Sequence, residues 1–359
     1  MSPGTLALTL LVAGATTPPA VPARAHTHDV HEAHAPTDAP LALTETGVRF
    51  GPFGLDGRPV DHALASWIVR TEDGAGARLD VRVVTGGVPS PWLTLARTGD
   101  PDALSDLPAE RDRAEGARVY TDVLACDPPG EGVELRLLAS GGEATLTALW
   151  VTLTDEAEPP APLGELDVSA LLEPVPGPVA LDVPHHAQNE AGPELASRLC
   201  SPTSVAMTLA YHGHARTVAE VAADCYDPDA EIYGNWVNNT LAASRLGVPT
   251  LATRLGSWGE LEAALGHGPV VLSLPPFTPD TLGGVTYESK SGHLLVARGF
   301  DDSGDLLVSD PAHGDPDEAR ATYSREDLTR LWLLENLGTC YLPAAALGDV
   351  AGAKRPHRD

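Results

Sequence analysis

Between residues 46 and 155, apolar and polar positions alternate in short runs. The segments "ALASWIVRT" (63–71), "RLDVRVVT" (78–85), "GVELRLLAS" (132–140) and "ATLTALWVTLT" (144–154) repeat side chains of like polarity every second position. That is the period of a half-buried strand. Glycine and proline clusters separate the runs, so residues 46–155 are expected to fold as an all-β sandwich. The polar stretch "ALSDLPAERDRAEGARV" (103–119) is expected to be a long loop.

After residue 178 the period changes. "SPTSVAMTLAYHG" carries apolar residues at Val205, Ala206, Leu209 and Ala210 with Gly213 behind them, the pattern of a helix and its stop. "TVAEVAADCY", "WVNNTLAASRLG" and "SWGELEAALGHG" predict three more helices. Strand-like runs follow: "PVVLSLP" (269–275), "HLLVARGF" (293–300) and "DLLVSD" (305–310). Helices first and strands after indicate an α+β domain over residues 179–345. Residues 156–178 are acidic and proline-rich and read as a linker lying along the surface. Residues 346–359 read as a C-terminal tail.

The N-terminus changes the compartment. The apolar run Leu6–Ala15 is too short for a membrane span but suits the core of a signal peptide, and Ala23-Arg24-Ala25 supplies a small-x-small cleavage site. Residues 1–25 are therefore expected to be removed and the protein to be secreted or held in the cell envelope. No later segment is long enough to be a membrane helix. Residues 26–45, with His26, His28, His31 and His34, read as a disordered His-rich tail. A free amine ahead of His28 offers a copper or nickel chelate, but no metal or cofactor is expected to be integral.

Fifty acidic against 23 basic residues leave a formal charge of −27 in 359 residues, and no Lys/Arg cluster interrupts it. Such a surface repels phosphate backbones, which excludes nucleic acid as a partner and favours neutral or basic substrates. The composition does not specify an oligomeric state.

Four cysteines are present, Cys126, Cys200, Cys225 and Cys340, without a CxxC pair, which argues against structural zinc. In an exported chain they allow three full pairings, or one bridge with free thiols. Cys225–Cys340 leaves Cys200 free, and a bridge from Cys126 to either is equally open.

Cys200 itself can be read as a core filler, a disulfide half or a nucleophile. It stands at a helix start, with Pro202 suited to the first turn. Unpaired amides and the helix dipole stabilise a thiolate there. Gln188 and Asn189 lie in the polar loop before it, and a side-chain amide can donate to an oxyanion. The acceptor for the thiol proton is His293. Its segment reads as a hairpin with "DDSG" as the turn. Pairing Phe300 with Asp305 sets Asp310 opposite Leu295, on the face from which His293 emerges. Diagonal neighbours lie about 7–8 Å apart, within reach of an imidazole–carboxylate bond. Even slips of register preserve this and odd slips destroy it.

Together "VPHHAQ", "CSPTSVAMTLAYHG", "YGNWVNNTLAASRLG" and "SGHLLVARGFDDSGDLLVSDPA" resemble the papain-like cysteine peptidase family 39, chiefly its secreted stand-alone bacterial members, the C39-like family peptidases. The resemblance spans about Ala180 to Pro343. It implies a papain-like core, with a cysteine-bearing helix packed on an antiparallel sheet that carries histidine and acid. Gln188 would serve as the oxyanion-hole glutamine, Cys200 as nucleophile, His293 as general base and Asp310 as orienting acid. Asn235 and Trp236 would line the cleft on the substrate side, and the substrate would be a peptide or protein. Residues 46–155 would match the β-sandwich preceding this core in secreted relatives.

Two departures stand out. Bacteriocin-processing members commonly have Cys-Gly-Pro where this chain has Cys-Ser-Pro, which sets the Ser201 hydroxyl beside an oxyanion-contacting amide. No transporter segment is expected alongside this domain, so a double-glycine leader substrate is not implied. Two neighbouring readings use the same residues. One is a cysteine amidase or transpeptidase acting on wall peptides. The other is a non-catalytic wall or surface binding protein, in which Trp67, Trp92 and Trp150 stack on sugars.

Overall fold

The computed structural model describes residues 26–156 and 162–353. The expected signal peptide therefore lies outside the described residues, as do 157–161 of the linker and 354–359 of the C-terminal tail.

The first unit holds two antiparallel sheets. In one, strands Thr27–His34, Ala144–Asp155, Val60–Thr71, Val123–Gly130, Ala117–Tyr120 and Arg113–Ala114 lie side by side. In the other, Val48–Phe53, Gly132–Ser140 and Gly76–Thr85 are neighbours, with Leu93–Gly99 also paired to Gly76–Thr85. Their facing residues share one core: Trp67, Val69, Leu149, Val151 and Leu153 from the first sheet meet Leu79, Val81, Leu93 and Leu135 from the second.

Strands Val60–Thr71 and Ala144–Asp155 are buried on both faces, because the outer face packs on the second unit. Trp150 and Ala148 join the core of that unit with Leu251, Trp258 and Leu272. In return, Val237 and Leu241 of the Trp236–Arg245 helix enter the first unit's core. Polar groups at this seam are paired. Ser66 Oγ accepts from the Ala252 amide at 2.8 Å, and Thr152 and Thr253 share a hydroxyl bond of 2.8 Å. Arg245 donates Nε and Nη2 to the Val69 carbonyl at 3.1 and 3.0 Å.

The second unit is one antiparallel sheet, in the order Thr250–Arg254, Thr339–Pro343, Val270–Leu274, His293–Phe300, Leu306–Ser309 and Thr322–Tyr323. Along the His293 strand the faces alternate. Leu294 and Val296 pack with Val205 and Leu209 of the Cys200–Tyr211 helix, while Leu295 and Ala297 join the core around Leu261 and Trp332. All four expected helices form, and the Val218–Cys225 helix opens with a Thr217/Glu220 capping box.

The structure corrects several expectations. Residues 27–34 are an edge strand paired to Ala144–Asp155, not part of a disordered tail. Its alternation is carried by polar residues, which hides it from a hydropathy reading. His28 is buried facing Glu260 (3.4 Å), Val30 packs against the second core, and Glu32 accepts from the Trp150 indole at 3.1 Å. The 103–119 stretch begins within a short helix, Pro101–Asp106, because Asp100 caps it and Pro101 fits its first turn. The linker is more than surface chain. Leu166, Val168 and Leu171 are buried in the second unit's core, around two 3₁₀ turns. Residues 347–353 form a helix with Val350 buried, so the second unit extends past 345. No described helix is long and apolar enough to cross a membrane.

Candidate active site

The Cys200 helix starts without a side-chain cap, since Leu199 precedes it. Its first-turn amides are consequently free to face the sulfur, and the Ser201 amide does so. Cys200 is half-buried at the rim of the helix-side core. Two hydroxyls stitch this helix to the sheet: Ser204 Oγ donates to the Leu294 carbonyl at 3.1 Å, and Ser201 Oγ shares a 2.8 Å bond with Tyr341. The Ser201 hydroxyl is thus committed to Tyr341 in the core.

His293 is the first residue of its strand and pairs with Leu274. Gly292 turns the chain into it at φ +84°, where an added Cβ would stand 2.9 Å from the Leu274 carbonyl oxygen. The hairpin register is as expected on the site side, where Val296 faces Ser309 and Asp310 falls in the row of Leu295. Nearer the turn it is not, because Phe300 faces Leu306. One extra residue at Arg298 makes a bulge that absorbs the odd slip. Gly299 beside it tolerates no Cβ, which would sit 1.7 Å from the Val179 carbonyl oxygen of the neighbouring strand.

The imidazole of His293 stands beside the Cys200 thiol and acts on its charge, and its Nε2 lies 2.8 Å from Asp310 Oδ1. Nδ1 is left as the nitrogen for the sulfur. His293 is 5 % exposed and Asp310 0 %. The carboxylate accepts three further bonds: from the Ala312 amide (2.9 Å), the Tyr287 hydroxyl (2.7 Å) and the Tyr323 hydroxyl (2.6 Å).

Electrostatics follow from this contact. Burial raises the cost of a Cys200 thiolate, but the neighbouring His293 outweighs it, helped by the Leu294 and Ser201 amides, and the thiol falls below its ordinary value. Burial opposes an imidazolium, but the Asp310 charge and hydrogen bond lift His293 above its ordinary value, with Cys200 adding to the lift. For Asp310, burial is again outweighed, chiefly by the charge and hydrogen bond of His293 and the bond from Tyr323, and its carboxyl is held well below the carboxylate range.

The other three cysteines behave oppositely. All four are free thiols, so neither the Cys225–Cys340 bridge nor one from Cys126 forms. Cys225 lies in the helix-side core and Cys340 in the core on the sheet's other side. Burial pushes the Cys225 and Cys340 thiols well up and the Cys126 thiol up to about 12.

Gln188 reaches the same corner by its backbone, whose N–H donates to the Pro311 carbonyl at 2.9 Å, one residue past Asp310. Its side-chain Oε1 is buried without a hydrogen-bond partner, leaving the amide uncommitted. Asn235 has a different job. It is 1 % exposed, its Oδ1 caps a helix by accepting from the Asn238 amide, and its Nδ2 donates to Asp227 at 2.7 Å. Both polar ends are spent, so it is not a substrate-side group. Trp236 is half-buried against the helix-side core, and its amide donates to Asp122 of the first unit. Sequence reasoning missed Tyr287, Tyr323 and Tyr341. Tyr323 sits in a two-residue strand and Tyr287 in the irregular 275–292 connection, where no periodicity exists to mark them.

The Peptidase_C39 like family model matches residues 180–336. No curated protein sequence matches the chain. Among solved structures, a double glycine motif protease from an AMS/PCAT transporter, in complex with the leader peptide, is 21 % identical. The match covers 46 % of this chain and 98 % of that one, with a TM-score of 0.30. The infectious bursal disease virus VP2 subviral particle is 10 % identical over 36 % of this chain and 33 % of its own, with a TM-score of 0.24. Gln188, Cys200, His293 and Asp310 all lie within residues 180–336, the stretch that is similar to the Peptidase_C39 like family.

Proposed function

We propose that the protein is an exported cysteine peptidase that cleaves peptide bonds through a thioester acyl-enzyme. One observation carries the reading: a half-buried thiol stands beside an imidazole that is itself hydrogen-bonded to a fully buried carboxylate. In this mechanism the Cys200 thiolate attacks the scissile carbonyl carbon, and the developing oxyanion takes a hydrogen bond from the Gln188 amide. The C–N bond breaks as imidazolium His293 gives its proton to the leaving amine. Water then adds to the thioester while His293 takes a proton from it. The S–C bond breaks, and a carboxylic acid leaves with the thiolate restored. Asp310 holds the imidazole's orientation and balances its charge throughout.

The sandwich-and-peptidase architecture and cleavage after Ala25 belong to the same reading, and secreted protein should begin at His26. The sugar-binding alternative loses its aromatic surface. Trp67 and Trp150 are each 1 % exposed in the cores, and Trp92 lies under the guanidinium groups of Arg82 (4.3 Å) and Arg136 (4.6 Å). The test is a peptide-library digest by wild type and Cys200→Ser. The wild type should cleave a subset of the peptides, and the variant should lose at least about 10³-fold in rate. Retained hydrolysis in Cys200→Ser, or a disulfide at Cys200 in native protein, overturns the reading.

A further inference from the structure

We propose that Tyr287 and Tyr323 are positioning residues of the site, a pair of phenols that fixes the Asp310 carboxylate and, through it, the His293 imidazole. The inference rests on the peptidase reading and deepens it. Asp310 is fully buried and each of its oxygens meets two donors. Oδ1 takes His293 Nε2 (2.8 Å) and the Ala312 amide (2.9 Å), and Oδ2 takes the Tyr287 and Tyr323 hydroxyls (2.7 and 2.6 Å). A carboxylate so surrounded has no rotational freedom, and four hydrogen bonds offset the desolvation that would otherwise protonate it. Burial and the Asp310 charge push both phenols far above their ordinary range, so they remain donors wherever the enzyme works.

The two phenols arrive from different elements. Tyr323 is fully buried in the strand next to Leu306–Ser309, with Leu306 as its partner. Tyr287 comes from the 275–292 connection, held by a two-way backbone bridge between Phe277 and Ser289 at 3.0 Å. Its ring meets the His293 ring edge-on at 5.7 Å, and Phe277 meets the same imidazole at 6.1 Å. Tyr287 therefore acts twice, by its hydroxyl on the acid and by its ring on the base. The titratable groups facing this cluster are Cys200, His293, Tyr287 and Tyr323 and, across the Tyr287 ring at 5.6 Å, His313 with Glu318 beyond it.

A purely structural role would alter stability alone. A positioning role also moves the pH window in which Cys200 reacts. Losing two donors weakens the carboxylate's hold on the imidazolium. The lower limb, set by thiolate formation, then rises, and the upper limb, set by loss of the imidazolium proton, falls. The experiment is the pH profile of Cys200 alkylation by iodoacetamide in wild type, Tyr287→Phe, Tyr323→Phe and the double variant, with melting temperature alongside. The double variant should show each limb moved inward by about one pH unit, a roughly tenfold slower reaction near pH 6. Tyr287 is only partly buried and Tyr287→Phe keeps its ring, so this variant should show the same signs at smaller size even if the buried Tyr323→Phe does not fold. Folded variants with the wild-type window overturn the clamp alone. A wild type reactive only in the ordinary thiol range overturns both the clamp and the peptidase reading.

Discussion

Each unit of the molecule buries one aspartate completely, and the two are held in opposite ways. Asp80 of the first unit accepts from two guanidinium groups, with Arg78 Nη2 and Arg136 Nε both at 3.0 Å, and from the Thr94 hydroxyl at 3.0 Å. Both arginines also share Glu110, at 3.2 and 3.1 Å. Nothing in that network can give up its proton, because guanidinium stays charged at any working pH. Asp310 of the second unit instead faces an imidazole whose other nitrogen is free for a thiol. Depth of burial is the same, so it cannot be what makes a site. The partner decides: a fixed cation makes a rivet, and a titratable ring makes a proton path.

The largest expected contrast comes from replacing each acid by its amide. Asp310→Asn should slow peptide hydrolysis by roughly 10³- to 10⁴-fold, since the imidazole loses both its tautomer and its charge balance. Its fold should survive, because the amide oxygen can keep both phenols while the new NH2 faces His293 Nε2, and only the Ala312 amide loses its acceptor. Asp80→Asn should do the reverse. Buried Arg78 and half-buried Arg136 are left with only the exposed Glu110 as counter-charge, costing up to about 3–5 kcal/mol in urea unfolding, while Cys200 alkylation at neutral pH is unchanged. Equal effects of the two variants on alkylation would erase the distinction.

The contact between units carries a smaller, pH-dependent prediction. Asp122 is 7 % exposed and accepts the Trp236 amide across the seam. Burial, with Asp227 nearby, raises its carboxyl to about 7 despite the amide bonds that lower it. The folded state thus binds one proton more than the unfolded chain between about pH 4 and 7. Stability accordingly falls as pH rises through that window and stays reduced above it. Asp122→Asn should flatten this slope and gain about 1–3 kcal/mol at pH 8 by denaturant titration, an effect absent at pH 4.

How much of this was legible beforehand depended on period and parity. Strands 132–140 and 293–300 stand at the ends the sequence pattern gives them: Val133, Leu135, Leu137 and Ala139 line one core face of the first, while the apolar residues of the second divide between two cores. The Cys200 helix was readable from its apolar spacing and Pro202. The His293–Asp310 pairing was readable from parity, yet it holds only because the Arg298 bulge restores a register that the turn had shifted. What hid was polar material made structural by its neighbours. Strand 27–34 alternates histidines and glutamate, and these become inward-facing only when the second unit covers them. Asn235 looked like a cleft residue because caps and substrate ligands draw on the same side chains. Tyr287 and Tyr323 reach Asp310 from segments 23 and 13 residues away, which no local pattern signals.

The central claim is that this fold makes a thiolate–imidazolium pair out of Cys200 and His293 and leaves Cys126, Cys225 and Cys340 as inert thiols. Iodoacetamide alkylation of native protein from pH 4 to 10, read residue by residue by mass spectrometry in wild type and His293→Ala, tests it directly. The account predicts modification confined to Cys200, with reactivity persisting well below the ordinary thiol range and lost there in His293→Ala. Cys200 labelling that tracks an ordinary thiol and ignores the His293 substitution would contradict it.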